Sequence, residues 1–138
     1  MPNTQNEIFS KGDKAPTDYF SGTAWVRMIL PNHDQLHCQI GNVTFEPGAR
    51  NNWHLHPGGQ ILIVTEGKGY YQQKGKPIQL IQKGDVVAIL PDVVHWHGAS
   101  AECQMTHMAI NPNTQKGIVD WMERVNDADY GSYESAAD

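Results

Sequence analysis

The sequence predicts an all-β barrel with one C-terminal helix, in a single domain. Three observations carry that prediction. Turn residues punctuate the chain about every 8–12 residues between Trp25 and Ile110, the rhythm of short strands in a sandwich or barrel. Ile118, Val119, Met122 and Val125 then fall at helical spacing. A chain of 138 residues can bury one sizeable core but not two.

Taken in order, residues 1–22 are polar and contain Gly, Pro and Ser, and are expected as an N-terminal arm. Residues 23–112 are expected as the barrel. Its first strands are Trp25–Leu30, stopped by Pro31-Asn32, and His37–Phe45, ended by Glu46-Pro47-Gly48. Asn52–His56 runs into Pro57-Gly58-Gly59. Gln60–Thr65, Gly69–Gln73, Pro77–Ile81, Asp85–Leu90, Val94–Gly98 and Gln104–Ile110 follow, separated by breaks such as Glu66-Gly67, Lys74-Gly75 and Lys83-Gly84. Residues 113–138 are expected as a helix over 115–126 and a solvated tail.

Composition narrows the partners. Ten basic against fifteen acidic residues give a net charge of −5, and no Lys/Arg run exists, so no nucleic acid partner is expected. The longest apolar stretch, Val86–Leu90, is far short of a membrane span. The polar start does not resemble a secretion signal, and two cysteines make no disulfide framework, so a cytoplasmic location is expected.

The chemistry is concentrated in seven histidines, four of them in the pairs His54-Leu55-His56 and His95-Trp96-His97. On a strand, residues i and i+2 share a face about 7 Å apart, so His-x-His can chelate there. Leu55, Trp53 and Trp96 then point the other way, into packing. Gln60 lies four residues beyond His56 across a Pro-Gly-Gly turn that folds the chain back toward the same point.

These residues resemble a known family. Gly48, His54-Leu55-His56, Gln60 and Gly67 match the spacing of the first motif of the cupins, with Gln where that motif usually carries Glu. Gly84, Pro91 and His95 resemble the second, although Pro91 is one position late, Val follows in place of glycine, and Ala99 stands where Asn is usual. The resemblance implies a cupin-type double-stranded β-helix, or jelly-roll barrel. It implies one divalent metal per subunit bound by His54, His56, Gln60 and His95. Phe45-Glu46-Pro47-Gly48-Ala49-Arg50, His95-Trp96-His97-Gly98-Ala99, Met105-Thr106-His107 and Val119-Asp120-Trp121-Met122-Glu123 are similar to small bacterial single-domain cupins. That group includes the manganese-dependent hydroxynitrile lyases, which split cyanohydrins. By that resemblance His97 and His107 are catalytic, Gly41 and Val43 line the substrate pocket, and the chain forms a homodimer or homotetramer.

From the residues themselves, three neutral imidazoles and one amide leave the full charge of a divalent ion uncompensated. Such a site is a stronger Lewis acid than one with Glu and holds its metal more weakly. Mixed N and O donors suit manganese first by resemblance, then iron, nickel or zinc. His107 alternates inward with Met105 and Ala109, as either a site residue or a satisfied core histidine. His97 can also be a ligand itself, and Gly41 can mark either pocket space or a bulge.

Three functions follow. The first is a metal-dependent lyase acting on a small-molecule hydroxy or carbonyl substrate. The second is different chemistry at the same site, either a dioxygenase or opening of an unsaturated uronate ring, for which Arg50 is the nearest cation in sequence. The third is a non-catalytic module that binds metal or a small ligand.

Overall fold

In the computed structural model, which describes residues 8–133, the strands are β1 (Asp13–Lys14), β2 (Phe20–Ser21), β3 (Ala24–His33), β4 (Cys38–Phe45), β5 (Arg50–Asn51) and β6 (His54–Leu55). They continue as β7 (Gln60–Gln73), β8 (Gln79–Gln82), β9 (Val86–Ile89), β10 (His95–Ala99), β11 (Met105–Asn111) and β12 (Asp120–Trp121). Every pairing is antiparallel, and the main path runs β1-β3-β4-β11-β7-β10-β5-β2. This is an all-β double-stranded β-helix, as the sequence predicts.

β7 joins the two faces of the barrel. Its first half pairs with β11 and β9, and its second half with β10 and β8. The sequence suggests a break at Glu66-Gly67, yet the strand runs through. A register shift opposite Thr106/His107 absorbs the extra residue, and Gly67 takes φ 73°. A side chain at Gly67 would strike the Gln104 carbonyl. Pro31 does not end β3, because β1 covers only Trp25 and Val26 of that edge and leaves no partner wanting a proline N–H.

Alternation sorts the side chains. Phe45, Leu62, Val64 and Met105 point inward and are buried in the main core. Trp53 and Trp96 point outward from the smaller sheet and pack with Ile78, Val125 and Tyr130. The tryptophans are therefore packing residues, as expected.

Two expectations are corrected. The helix over 115–126 does not form. A single 3-10 turn at Thr114–Lys116 is followed by Gly117 at φ 117°, and the chain then runs extended into β12, which pairs with β6. Met122 N donates to the Trp53 carbonyl at 2.8 Å, and Trp53 N to the Glu123 carbonyl at 3.0 Å. Helical apolar spacing arises here because one extended segment serves two apolar environments: Ile118, Val119 and Trp121 face a cavity, and Met122 and Val125 face the tryptophans. The helix among the described residues is α1 (Asp127–Tyr130), capped by the Asn126 side chain accepting from Asp129 N at 2.7 Å.

The expected arm is not loose from Asp13 onward. β1 pairs with β3, β2 pairs with β5, and Ala15 and Phe20 are buried in the core. The expected tail also packs in part: the Tyr130 hydroxyl donates to the Ala99 carbonyl at 2.6 Å, and Tyr133 stacks on Tyr70. The parts of arm and tail at 1–7 and 134–138 lie outside the described residues. Among the described residues, no helix is long and apolar enough to cross a membrane.

Candidate metal centre

β6 and β10 place His54 directly opposite His95. Their rings are 4.3 Å apart at the centroids, and His56 lies 5.0 Å from His54 and 5.6 Å from His95. Gln60, at the start of β7, brings its Oε1 to 3.2 Å from His95 Nε2. The fold thus gathers all four residues of the expected ligand set. The three histidines whose ligating nitrogens all lie within 4.8 Å of one another are His54, His95 and His97, so His97 belongs to this cluster beside the expected set.

Each of three rings is held through Nδ1 by a main-chain carbonyl: His54 by Asn52 at 2.7 Å, His56 by Ile118 at 2.7 Å, and His95 by Val93 at 2.8 Å. A carbonyl only accepts, so each Nδ1 carries the proton. Burial, the largest effect on every one, lowers the pKa of His54 well below 6.5, lowers that of His56, and pushes that of His95 down to about 4. The rings are therefore neutral near pH 7, and each Nε2 presents a lone pair. Metal-ligating histidines are oriented in this way.

Gln60 is oriented too. Its Nε2 donates to Asn111 Oδ1 at 2.9 Å, and Asn111 Nδ2 donates to Gln39 Oε1 at 2.9 Å. The Gln60 carbonyl oxygen is left facing the His95 lone pair, acceptor against acceptor. Among the described residues, the buried His56 Nε2 has no hydrogen-bond partner. A cation satisfies all of these atoms at once, and three imidazole nitrogens with one amide oxygen suit a divalent transition metal.

His97 and His107 form a second unit. His107 Nε2 lies 2.9 Å from His97 Nδ1, and Asn51 fixes the strand beneath by accepting from His97 N at 2.9 Å. Both rings are buried. Burial, then the nearby His107 ring, lowers the pKa of His97 well below 6.5, while burial pushes that of His107 down to about 4. Two neutral imidazoles at this distance share one proton between ring nitrogens. Among the described residues, His107 Nδ1 has no hydrogen-bond partner.

A cavity of about 220 Å³ opens beside these histidines. Gly41 and Val43 line it and lie opposite Ala109 and His107 across β4 and β11. Nothing but the Arg27 carbonyl, at 4.0 Å, approaches the space a Cβ would take at Gly41, so that glycine leaves room rather than relieving strain. Phe20, Val26, Met28, Ala109 and Trp121 supply apolar walls, and no charged side chain lines the space. Arg50 turns away, donating to the Val125 carbonyl and to Asp127, both at 2.8 Å.

The sequence did not single out Asn51, Asn111, Gln39, Tyr19 or Trp121. Asn111 and Gln39 were within reach, since they continue the inward alternation of His107–Ala109 and of Gly41–Val43. Tyr19 and Trp121 stack 4.7 Å apart over the cavity from segments 102 positions apart, and no local pattern announces that.

Residues 41–111 match the Cupin domain family. The chain is 45% identical over 117 residues to an (R)-mandelonitrile lyase of Granulicella tundricola, covering 85% of this chain and 89% of that protein. A cupin-like protein from Thermotoga maritima superimposes with a TM-score of 0.90 at 45% identity, covering 94% of this chain and 98% of that one. A double-stranded β-helix protein from Klebsiella pneumoniae superimposes with a TM-score of 0.64 at 20% identity, covering 86% of this chain and 99% of that one, a likeness of fold.

Proposed function

This chain belongs to the cupin domain family, and from that premise we propose that it is a metal-dependent lyase cleaving small uncharged cyanohydrins. His54, His56, Gln60 and His95 would hold one divalent ion, manganese first. The observation that carries the reading is the gathering of the His54, His56 and His95 rings, with the Gln60 amide oxygen 3.2 Å from His95 Nε2, beside an apolar cavity. The similarity to a mandelonitrile lyase supports the choice of reaction.

When bound, the ion supplies Lewis-acid charge that favours loss of the substrate's hydroxyl proton. His97, whose ring nitrogen lies within 4.8 Å of those of His54 and His95, accepts that proton. His107, 2.9 Å behind it, shares the charge that His97 gains. As the carbon–carbon bond breaks, its electron pair leaves with cyanide and the hydroxyl oxygen becomes a carbonyl oxygen. The protonated pair returns a proton to cyanide, so hydrogen cyanide and an aldehyde leave. The apolar walls exclude water and seat the organic group. A cavity of roughly 150 Å³ holds benzene, so the observed space admits a substituted benzene ring.

The uronate alternative loses support at Arg50, which faces outward, and among the described residues no basic side chain lines the cavity to pair with a carboxylate. A dioxygenase would consume oxygen. Cyanide release from mandelonitrile by metal-loaded protein, absent in His54→Ala and without oxygen uptake, is the expected result. A fully loaded protein with no release above background would refute the reaction, and binding without turnover would leave the binding-module reading.

A further inference from the structure

The three pinned histidines are not pinned alike. His54 and His95 bond to carbonyls two residues earlier in their own segments, so those bonds come with the local chain. His56 bonds to Ile118, 62 positions away, and depends on where that segment lies.

That segment, Gly117–Trp121, forms a strap across the cavity. Three attachments hold it. Gly117 adopts φ 117°, and its α-carbon face abuts the Pro57 ring, where an added Cβ would come within 3.1 Å of Pro57 Cγ. Trp121 pairs with His54 through β12 and β6, and its indole lies 4.7 Å from the His54 ring. Tyr19 stacks on the indole at 12° between planes. Ile118, Val119 and Trp121 wall the cavity while the Ile118 carbonyl reaches past it to His56.

We propose that this strap is the positioning element of the metal centre: the Ile118 carbonyl fixes the His56 ring and so sets how tightly the ion is held. The inference rests on the ligand set proposed above. Without that acceptor, nothing keeps the His56 proton on Nδ1, and Nε2 no longer presents a lone pair to the cluster at all times. Residues that orient a ligand in this way change metal affinity by about 10–100-fold.

Gly117→Ala tests it without touching a ligand. Alanine does not adopt φ near 117°, so the backbone must rotate and carry the Ile118 carbonyl away. Mn²⁺ affinity of the full chain is measured by competition with a chelator, and the His56 tautomer by long-range ¹H–¹⁵N correlation in metal-free protein. The expected result is Mn²⁺ binding weakened about 10-fold or more. His56 loses its Nδ1-protonated signature, while His54 and His95 keep theirs. If Gly117→Ala does not fold, as judged by its metal-free melting curve, Tyr19→Ala, which removes the ring stacked on the strap's indole, is read in the same way. Unchanged affinity, or weaker binding with an unchanged His56 tautomer, overturns the proposal. Wild-type protein that takes up no divalent ion removes the metal centre and the strap's role together; wild type that binds while the variants match it removes only the strap's role.

Discussion

Gln60 Nε2 donates to Asn111 Oδ1 across 2.9 Å, and that bond decides which end of the Gln60 amide faces His95. Asn111→Leu removes the acceptor and frees the amide to present its NH₂ to the cluster. Metal affinity is expected to fall about 10-fold or more. Asn111→Asp keeps an acceptor for Gln60 and is expected to retain most of the affinity. Chelator competition on the two variants checks the order; equal affinities would show that the relay through Gln39 and Asn111 does not orient the ligand.

Gln60→Glu adds one negative charge to an otherwise neutral ligand set. Metal is expected to bind more tightly, because the carboxylate offsets part of the ion's charge. Cyanohydrin cleavage is expected to slow, because the same offset weakens the pull on the substrate's hydroxyl proton. Parallel titration and rate measurements check this, and a variant faster at full loading would contradict it.

Gly41→Val narrows the cavity from a position where a side chain meets little resistance. β-branched residues suit a strand, so folding should be unharmed. A change of one methylene in such a pocket is worth about 10–200-fold in discrimination. Turnover of mandelonitrile is expected to drop more than turnover of acetone cyanohydrin. Equal losses would place the substrate elsewhere.

Acid is expected to destabilise the metal-free protein. In the folded chain, burial holds the pKa of His95 and His107 down at about 4 and lowers those of His54, His56 and His97 from 6.5. Unfolding returns each to about 6.5. Between those values the unfolded chain binds more protons, so stability is fully present above pH 6.5 and is lost as pH falls toward 4. His95 and His107 each contribute up to about 1.4 kcal/mol per pH unit in that window, and the lowered His54, His56 and His97 act in the same direction. Urea midpoints from pH 7.5 to 5 check the sign; a flat profile would contradict it.

Self-association is the expectation for the outer face of the larger sheet. Ile40, Ile110, Ile61 and Ala88 form one cross-strand row over β4, β11, β7 and β9, and Met108, Ile63 and Val86 extend a second beside it. An antiparallel sheet with one solvated face would carry polar residues there. A second copy seated on this face would cover it. Light scattering at micromolar concentration is expected to give a dimer or larger, reduced toward monomer by Ile63→Lys with Ile110→Lys; a monomeric wild type would refute it.

The gathering of His54, His56, Gln60 and His95 was legible because its geometry is local. His-x-His on a strand fixes two side chains on one face by the pleat alone, and the Pro-Gly-Gly turn returns Gln60 within a few residues. The barrel was legible because period-2 alternation and turn residues are also local. The helix over 115–126 failed for the opposite reason. Apolar spacing says that residues are buried, not against what, and here two separate apolar surfaces captured an extended chain.

Most strands, the pairs His54/His56 and His95/His97, and their neutral donor atoms can be read from local pattern. That Arg50 faces outward, that Asn111 turns Gln60 and that Ile118 holds His56 came only with the packed barrel. Those outcomes depend on main-chain groups and on segments brought together across the barrel. A backbone carbonyl is the same at every residue, so its partner is set by the fold and leaves no mark in the local sequence.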